Sequence, residues 1–441
     1  MTSPRRDGTG SSRTRRWLKR ISLTLAVLVL ATGTAGYLYL RHLDHNIRHA
    51  PLRAAVALPP PPPGPTDQAG RTAMNILVIG TDSRADLGGA YGDVDNTGPG
   101  NNDVNLLLHI APDRNSAVAV NLPRDTLVDL PECKDPKTGE DFPAAEHQPL
   151  NEALGRGGPG CVTSTVESIT QLKIDHYALV DFQGVKDLTN AVGGVPVDLC
   201  TPIHDRESHL DLPAGPQLLN GDEGLAFVRT RMAVQDGSSL GRFTMQRAYL
   251  AALVRKVTGA GTLLDPTTAF PVVETATRSI TVDDAIAGTT KLVGLANQLS
   301  GIKPDAVQFV QPEMHYTADD PDPELREKAA FTQPAADQLF QLIREGRPLT
   351  QTPAPTASAT GSPADTPTGS PTDSPTGSPT GSPAASGSPS ATATASAVQA
   401  DDGSPSPSAS ASPAPTGPGG VTVRNGDDHS CVQGWTGTLA Q

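Results

Sequence analysis

Three short stretches hold the residues best suited to chemistry. Gly80-Thr81-Asp82-Ser83-Arg84 follows one apolar run, Asn101-Asn102-Asp103 precedes a second, and Pro123-Arg124-Asp125-Thr126 follows a third. Hard cations such as Mg²⁺ are held by one or two carboxylates completed by substrate phosphate oxygens. Asp82 and Asp103 are therefore a candidate Mg²⁺ pair, although each Asp taken singly suits a turn or a cap equally well. Farther on, Val228-Arg229-Thr230-Arg231 sets two guanidiniums two residues apart. Asp236-Gly237-Ser238-Ser239-Leu240-Gly241-Arg242 opens a helical pattern in which Gln246, four residues on, shares a face with Arg242 and is followed by Arg247. Arginine grips phosphate oxygens in pairs. Arg84, Arg124, Arg229, Arg231 and Arg242 in one cleft would offset a pyrophosphate; scattered, they would be solvated surface residues.

Positioning such groups needs a scaffold, and the pattern around them supplies one. Apolar runs at 75–80, 104–110 and 117–122 have strand length and end in turn or polar residues. Helical periodicity is expected over 163–172, 182–191, 222–231, 242–257, 283–299 and 334–343. Near-continuous apolar strands alternating with helices predict an α/β fold, a central mixed β-sheet flanked by helices on both faces. Ligands of such sheets bind at strand ends, where the motifs fall.

The flanks of this 72–347 domain differ in kind. A head at 1–20 carrying Arg5, Arg6, Arg13, Arg15, Arg16, Lys19 and Arg20 precedes an uncharged apolar run at 21–40, long enough to cross a bilayer. Basic residues stay on the cytoplasmic side, so everything after Arg41 is expected outside. Cleavage within the small residues 31–36 would make the run a signal peptide, and export would still follow. Residues 41–71, with Pro59 to Pro63, read as a stiff stand-off linker. Residues 348–420 repeat Pro, Ser, Thr, Ala and Gly, are expected to be disordered, and have the length to cross a thick wall; 421–441 form a short Cys-containing end.

Charge and cysteines narrow the partners. Thirty-four Lys and Arg against 47 Asp and Glu leave a net charge of -13, which opposes any general affinity for nucleic acid. Cys133, Cys161, Cys200 and Cys431 are an even set without a Cys-x-x-Cys pair. In an oxidising compartment disulfides are expected, and spacing leaves three connectivities. Moderate separation within one domain favours Cys133 with Cys161, which leaves Cys200 to Cys431. His204 and His209 flank Asp205 and Glu207, but no third ligand has zinc spacing, so a solvated loop is expected there. His42, His45 and His49 follow the apolar run as interfacial residues.

Taken in order, Asn75-Ile76-Leu77-Val78-Ile79-Gly80-Thr81-Asp82-Ser83-Arg84, Pro123-Arg124-Asp125-Thr126, Ile174-Asp175-His176-Tyr177, Val180-Asp181-Phe182, Ala191-Val192-Gly193-Gly194-Val195 and the arginines of 225–242 closely resemble the LytR-CpsA-Psr family. The resemblance covers about 75–250. It implies a membrane-anchored enzyme that transfers an anionic glycopolymer from a polyprenyl-pyrophosphate carrier to peptidoglycan. By the same resemblance Asp82 and Asp103 would hold Mg²⁺, Arg124, Arg229, Arg231 and Arg242 would act on the pyrophosphate, and Arg84, Asp125, Gln246 and Arg247 would bind substrate. The chain departs from the family pattern at Asn101, Pro149, Ser239 and Met245, where Arg, Lys, Asp and Arg are common. A non-catalytic polyprenyl-phosphate-binding regulator and a polyprenyl-pyrophosphate hydrolase are the competing readings; direct DNA binding has no helix-turn-helix to support it.

Overall fold

The computed structural model describes residues 11–56, 58–83, 100–230, 239–258, 266–349, 423–425 and 431–432. Helix α1 (Ser11–Asn46) contains the apolar run. Its threonines return their hydroxyls to the backbone one turn earlier, Thr32 to Leu28 O at 2.9 Å and Thr34 to Leu30 O at 2.8 Å. Leu30 is nevertheless 72 % exposed, as are its apolar neighbours in kind. A helix with satisfied polar groups and uncovered leucines is suited to lipid, and α1 is a candidate membrane anchor by length and composition.

Beyond α1 the chain enters an eight-stranded sheet. Its strands are β1 (Arg48–Ala50), β2 (Met74–Thr81), β3 (Asn102–Ile110), β4 (Ala117–Asn121), β5 (His176–Val180), β6 (Ile280–Asp283), β7 (Val307–Val310) and β8 (Val423–Asn425). Their order is β1-β6-β5-β2-β3-β4-β7-β8. Pairs β1–β6, β5–β2 and β4–β7 are parallel and the rest antiparallel. Alternation divides the sheet into two faces. Leu77, Ile79, Leu107, Val120 and Tyr177 point toward α2 (Ala153–Thr170) and α8 (Ala335–Arg344), where Val162, Val166, Leu339 and Phe340 bury them. Leu106 and Ala119, with Val78 and Val104, meet Ala251 and Phe243 of α5 (Ser239–Thr258) on the other face. A mixed sheet between helical layers is the architecture the apolar runs predict.

Helix boundaries follow local chemistry. Asp181 caps α3 (Phe182–Ala191) by accepting Gly184 N at 2.7 Å. Asn220 and Glu223 form a reciprocal capping box at the start of α4 (Gly221–Arg229). Helix α2 begins ten residues before the periodicity at 163 announces it, because Gly157 and Gly158 leave the helical region and break the pattern.

Three points differ from the expectations. The helix expected over 283–299 begins only at Thr289, as α7 (Thr289–Leu299), and Asp283 instead closes strand β6; Asp283 is fully buried and its carboxylate accepts Tyr177 N and Ala285 N, holding an extended edge. Helix α6 (Pro266–Ser279) had no counterpart in the sequence reading. The linker of 41–71 is not a stand-off through its whole length. Leu43 and Ile47, four residues apart, are buried, β1 pairs with β6, and Arg53 forms a 3.0 Å ion pair with Glu167, which is 1 % exposed on its side chain. Both expected disulfides, Cys133–Cys161 and Cys200–Cys431, are present; β8 pairs with β7, and Val432 packs with Leu199 and Val195. The tail expected over 348–420 lies outside the described residues from 350 onward.

Candidate functional site

The carboxy end of β2 and the amino end of β3 meet because the two strands pair antiparallel, with Thr81 opposite Asn102. Asp82 and Asp103 are therefore brought together although 21 residues apart in number. Asn101 N donates to Asp82 Oδ1 at 2.7 Å. Gly100 makes that turn possible: at φ +72° it packs so tightly that an added Cβ would lie 2.6 Å from Asp82 Oδ1 and from Ser83 N. Asn102, fully buried, bonds Asn105 Oδ1 and Leu150 O and accepts Leu154 N, locking the start of β3.

Arg124 comes from the tight turn after β4. Thr126 N and Oγ1 both donate to Pro123 O, while Leu150 N and Asn151 N donate to Thr126 O and Arg124 O at 2.9 Å each. The Pro149-Leu150-Asn151 stretch thus braces this turn rather than adding charge to it. One Arg124 terminal nitrogen donates to Asp103 Oδ1 at 2.5 Å, and Nε lies 3.4 Å from Asp125 Oδ1. Burial works against this guanidinium's charge, but Asp103 and Asp125 outweigh it and hold its pKa above the usual arginine value. Nε is buried, and the Asp125 carboxylate is the anion it faces.

A cavity of about 240 Å³ is lined by Asp82, Asp103, Arg124, Arg229 and Gln246 together. Arg229, at the end of α4, lies 5.0 Å over the Phe182 ring. Gln246 of α5 donates to Val228 O at 3.4 Å. One wall is apolar: Val104, Val180, Phe182, Val185 and Val228. Arg247 does not line this cavity; one residue past Gln246, it turns about 100° around the helix. Arg84 and Arg231 lie outside the described residues, as does the side chain of Arg242. Met245 is buried beside Phe227 and Tyr249, so this departure from the family pattern is a packing residue.

Glu207 and Ser208 also line the cavity and were missed. Asp205 accepts Glu207 N and Ser208 N, closing the hairpin Ile203–Asp205 with Leu210–Leu212, and Ser208 Oγ bonds Thr230 Oγ1 at 2.9 Å. The loop expected to be solvated is half core, since Ile203, Leu210 and Leu212 are buried. Alternating Ile-x-Asp and Leu-x-Leu was the available signal. His204 is exposed and pairs with Asp211, and no group of three metal-ligating side chains occurs among the described residues.

Two carboxylates and a guanidinium lining one cavity fit a divalent cation carried with a phosphate: hard oxygen ligands from Asp82 and Asp103, the remainder from the substrate. The LytR_cpsA_psr family profile matches residues 58–335, and the chain belongs to that family. It is 34% identical over 228 residues to the probable cell wall biosynthesis protein LcpB of Corynebacterium glutamicum, covering 50% of this chain and 51% of that protein. It is 31% identical over 170 residues to the polyisoprenyl-teichoic acid--peptidoglycan teichoic acid transferase TagV of Bacillus subtilis, covering 37% of this chain and 41% of that protein. Against the crystal structure of B. subtilis TagV the TM-score is 0.47 at 22% identity, covering 63% of this chain and 98% of the other. The chain spans about half the length of the curated relatives it matches.

Proposed function

We propose that this chain is a membrane-anchored phosphotransferase that moves an anionic glycopolymer from polyprenyl pyrophosphate to a hydroxyl of peptidoglycan, outside the cytoplasm and with Mg²⁺. The observation that carries the reading is the convergence of Asp82, Asp103, Arg124, Arg229 and Gln246 on one cavity with an apolar wall. A pyrophosphate needs the charged side and a polyprenyl chain the apolar one. The TagV relative is named for transfer of a polyisoprenyl-carried teichoic acid to peptidoglycan, which is the same class of reaction.

Mg²⁺ held by Asp82 and Asp103 would neutralise charge on the pyrophosphate oxygens. The protein's own part is positioning. Arg124 is fixed from two sides by carboxylates, so its planar fork meets the phosphoryl oxygens without reorganising. Arg229, laid on Phe182, adds a second fixed charge. As the wall hydroxyl forms its bond to the phosphorus bearing the glycopolymer, the bond to polyprenyl phosphate breaks, and charge grows where these arginines stand.

The test is turnover of a polyprenyl-pyrophosphate glycopolymer by the full chain in detergent, with and without Mg²⁺, followed by product analysis with a peptidoglycan acceptor. Mg²⁺-dependent appearance of glycopolymer on the acceptor supports transfer. Free glycopolymer phosphate instead would make it a hydrolase, and lipid binding with no turnover would make it a carrier-binding protein.

A further inference from the structure

Helix α1 continues beyond its apolar run and is gripped from two sides. Glu274 of α6 contacts His42 Nε2 at 2.9 Å and accepts Asn46 Nδ2 at 3.3 Å. Thr289 N, opening α7, donates to Asp44 Oδ1 at 2.6 Å, so that carboxylate meets the positive end of a helix. Leu43 is buried between them. One turn nearer the membrane, the rings of Tyr39 and Phe270 meet edge to face with centroids 5.6 Å apart.

These contacts fix a direction and a height. Tyr39 with Phe270 and His42 with Glu274 advance together along both helices, so α6 runs beside α1 in the same sense and its first turn points back toward the apolar run. Twenty helical residues span roughly 30 Å, the thickness of a bilayer's hydrocarbon core. The run 21–40 therefore ends at its rim, and Tyr39 sits where tyrosines gather, at the lipid–water boundary. Phe270 lies at the same level by contact and is 57 % exposed. Pro266 starts α6 four residues earlier, about 6 Å deeper at the helical rise. From Pro266 to Val273 there is no charged residue.

We propose that the first turns of α6, anchored by Phe270, form a membrane-seating surface that enters the headgroup layer of the bilayer α1 crosses. This rests on reading α1 as a span. The occupant is lipid, because the face is continuous with the rim of that span and offers an aromatic ring with no charge beside it. The seat also reaches the cavity. Ser279 O, at the far end of α6, stands 2.8 Å from where a Cβ on Gly184 would be, so α6 and α3 touch backbone to backbone, and α3 begins with the cavity residue Phe182. Seat, α6, α3 and cavity wall form one contact series that holds the cavity at a set height above the lipid surface.

The experiment uses the full chain with Trp17→Phe and Trp435→Phe, reconstituted in phosphatidylcholine and phosphatidylglycerol liposomes containing lipids brominated along the acyl chain. Single tryptophan reporters are introduced by Phe270→Trp, by Leu30→Trp in the apolar run, and by Tyr316→Trp, which follows β7, six strand spacings from β1. Shallow bromines are expected to quench the Phe270→Trp reporter at least threefold more than the Tyr316→Trp reporter, and deep bromines to quench Leu30→Trp. If Phe270→Trp is quenched no more than Tyr316→Trp while Leu30→Trp is quenched, the seat is refuted and the span stands. If Leu30→Trp escapes quenching too, the span is refuted and the seat with it.

Discussion

Arg124 is the side chain whose surroundings most nearly dictate a role. It is held by Asp103 and Asp125 at the lining of the cavity. Arg124→Ala is expected to raise the barrier by about 3 kcal/mol, roughly a hundredfold in turnover. Arg124→Lys should restore little, because an ammonium lacks the fork that reaches two oxygens; turnover near wild type in a folded Arg124→Ala chain would remove the assignment. A second residue makes a prediction about stability. His109 is buried against Asn75 Oδ1 at 2.7 Å, and burial pushes its pKa down from 6.5 to about 4. The unfolded chain binds this proton below pH 6.5 while the folded chain resists until about 4, so folding stability is full above 6.5 and is lost as pH falls through that window. At 1.36 kcal/mol per unit this is about 3 kcal/mol. Denaturant unfolding at pH 7 and 4.5 should show that His109→Gln loses distinctly less stability than wild type; equal losses would count against it. Asp82, Asp103, Arg124 and Gln246 were legible because they border apolar runs or share a helix face. Glu207 and Ser208 were not, since a hairpin with one buried side per strand reads as a polar loop.

At the scale of elements, the site depends on a glycine between two strands. Gly100→Ala puts a Cβ into Asp82 Oδ1 and Ser83 N in a backbone conformation that costs alanine about 1 kcal/mol before any clash. Asp82 must shift, so turnover is expected to fall at least tenfold and to need more Mg²⁺, while the thermal midpoint drops by only a few degrees. A wild-type Mg²⁺ titration would show that the turn tolerates the change. The strands β2, β3 and β4 and helices α3, α4 and α5 were readable because each has its own periodicity, and α3 and α4 also carry side-chain caps. Strand β6 was not, because four residues are too few to show an alternation of their own. The contacts at the amino end of the domain were hidden for a different reason. Leu43 and Ile47 continue the apolar helix in sequence, and only the opposing α6 and α7 show that they face protein.

Across the whole molecule, two disulfides close loops of very different size. Cys133–Cys161 ties the short strand Cys133–Lys134, paired with Asp141–Phe142, to α2 over a separation of 28 residues, a closure that stabilises by about 3 to 4 kcal/mol in the chain-entropy model. Replacing both cysteines by serine should lower denaturant stability by that order, and an unchanged midpoint would show that the core alone sets it. Cys200–Cys431 spans 231 positions. Leu349 is buried in the main core, and β8 returns the chain to β7 beside that bond. The Pro-, Ser- and Thr-rich stretch is therefore joined to the domain at both its ends, a closed ring, as pairing Cys200 with Cys431 implies. Proteolysis in that ring would be silent on a non-reducing gel. A single cut between 350 and 422 leaves the C-terminal fragment covalently attached through Cys431, so the nicked chain migrates near its full mass until a thiol is added and only then releases a short peptide.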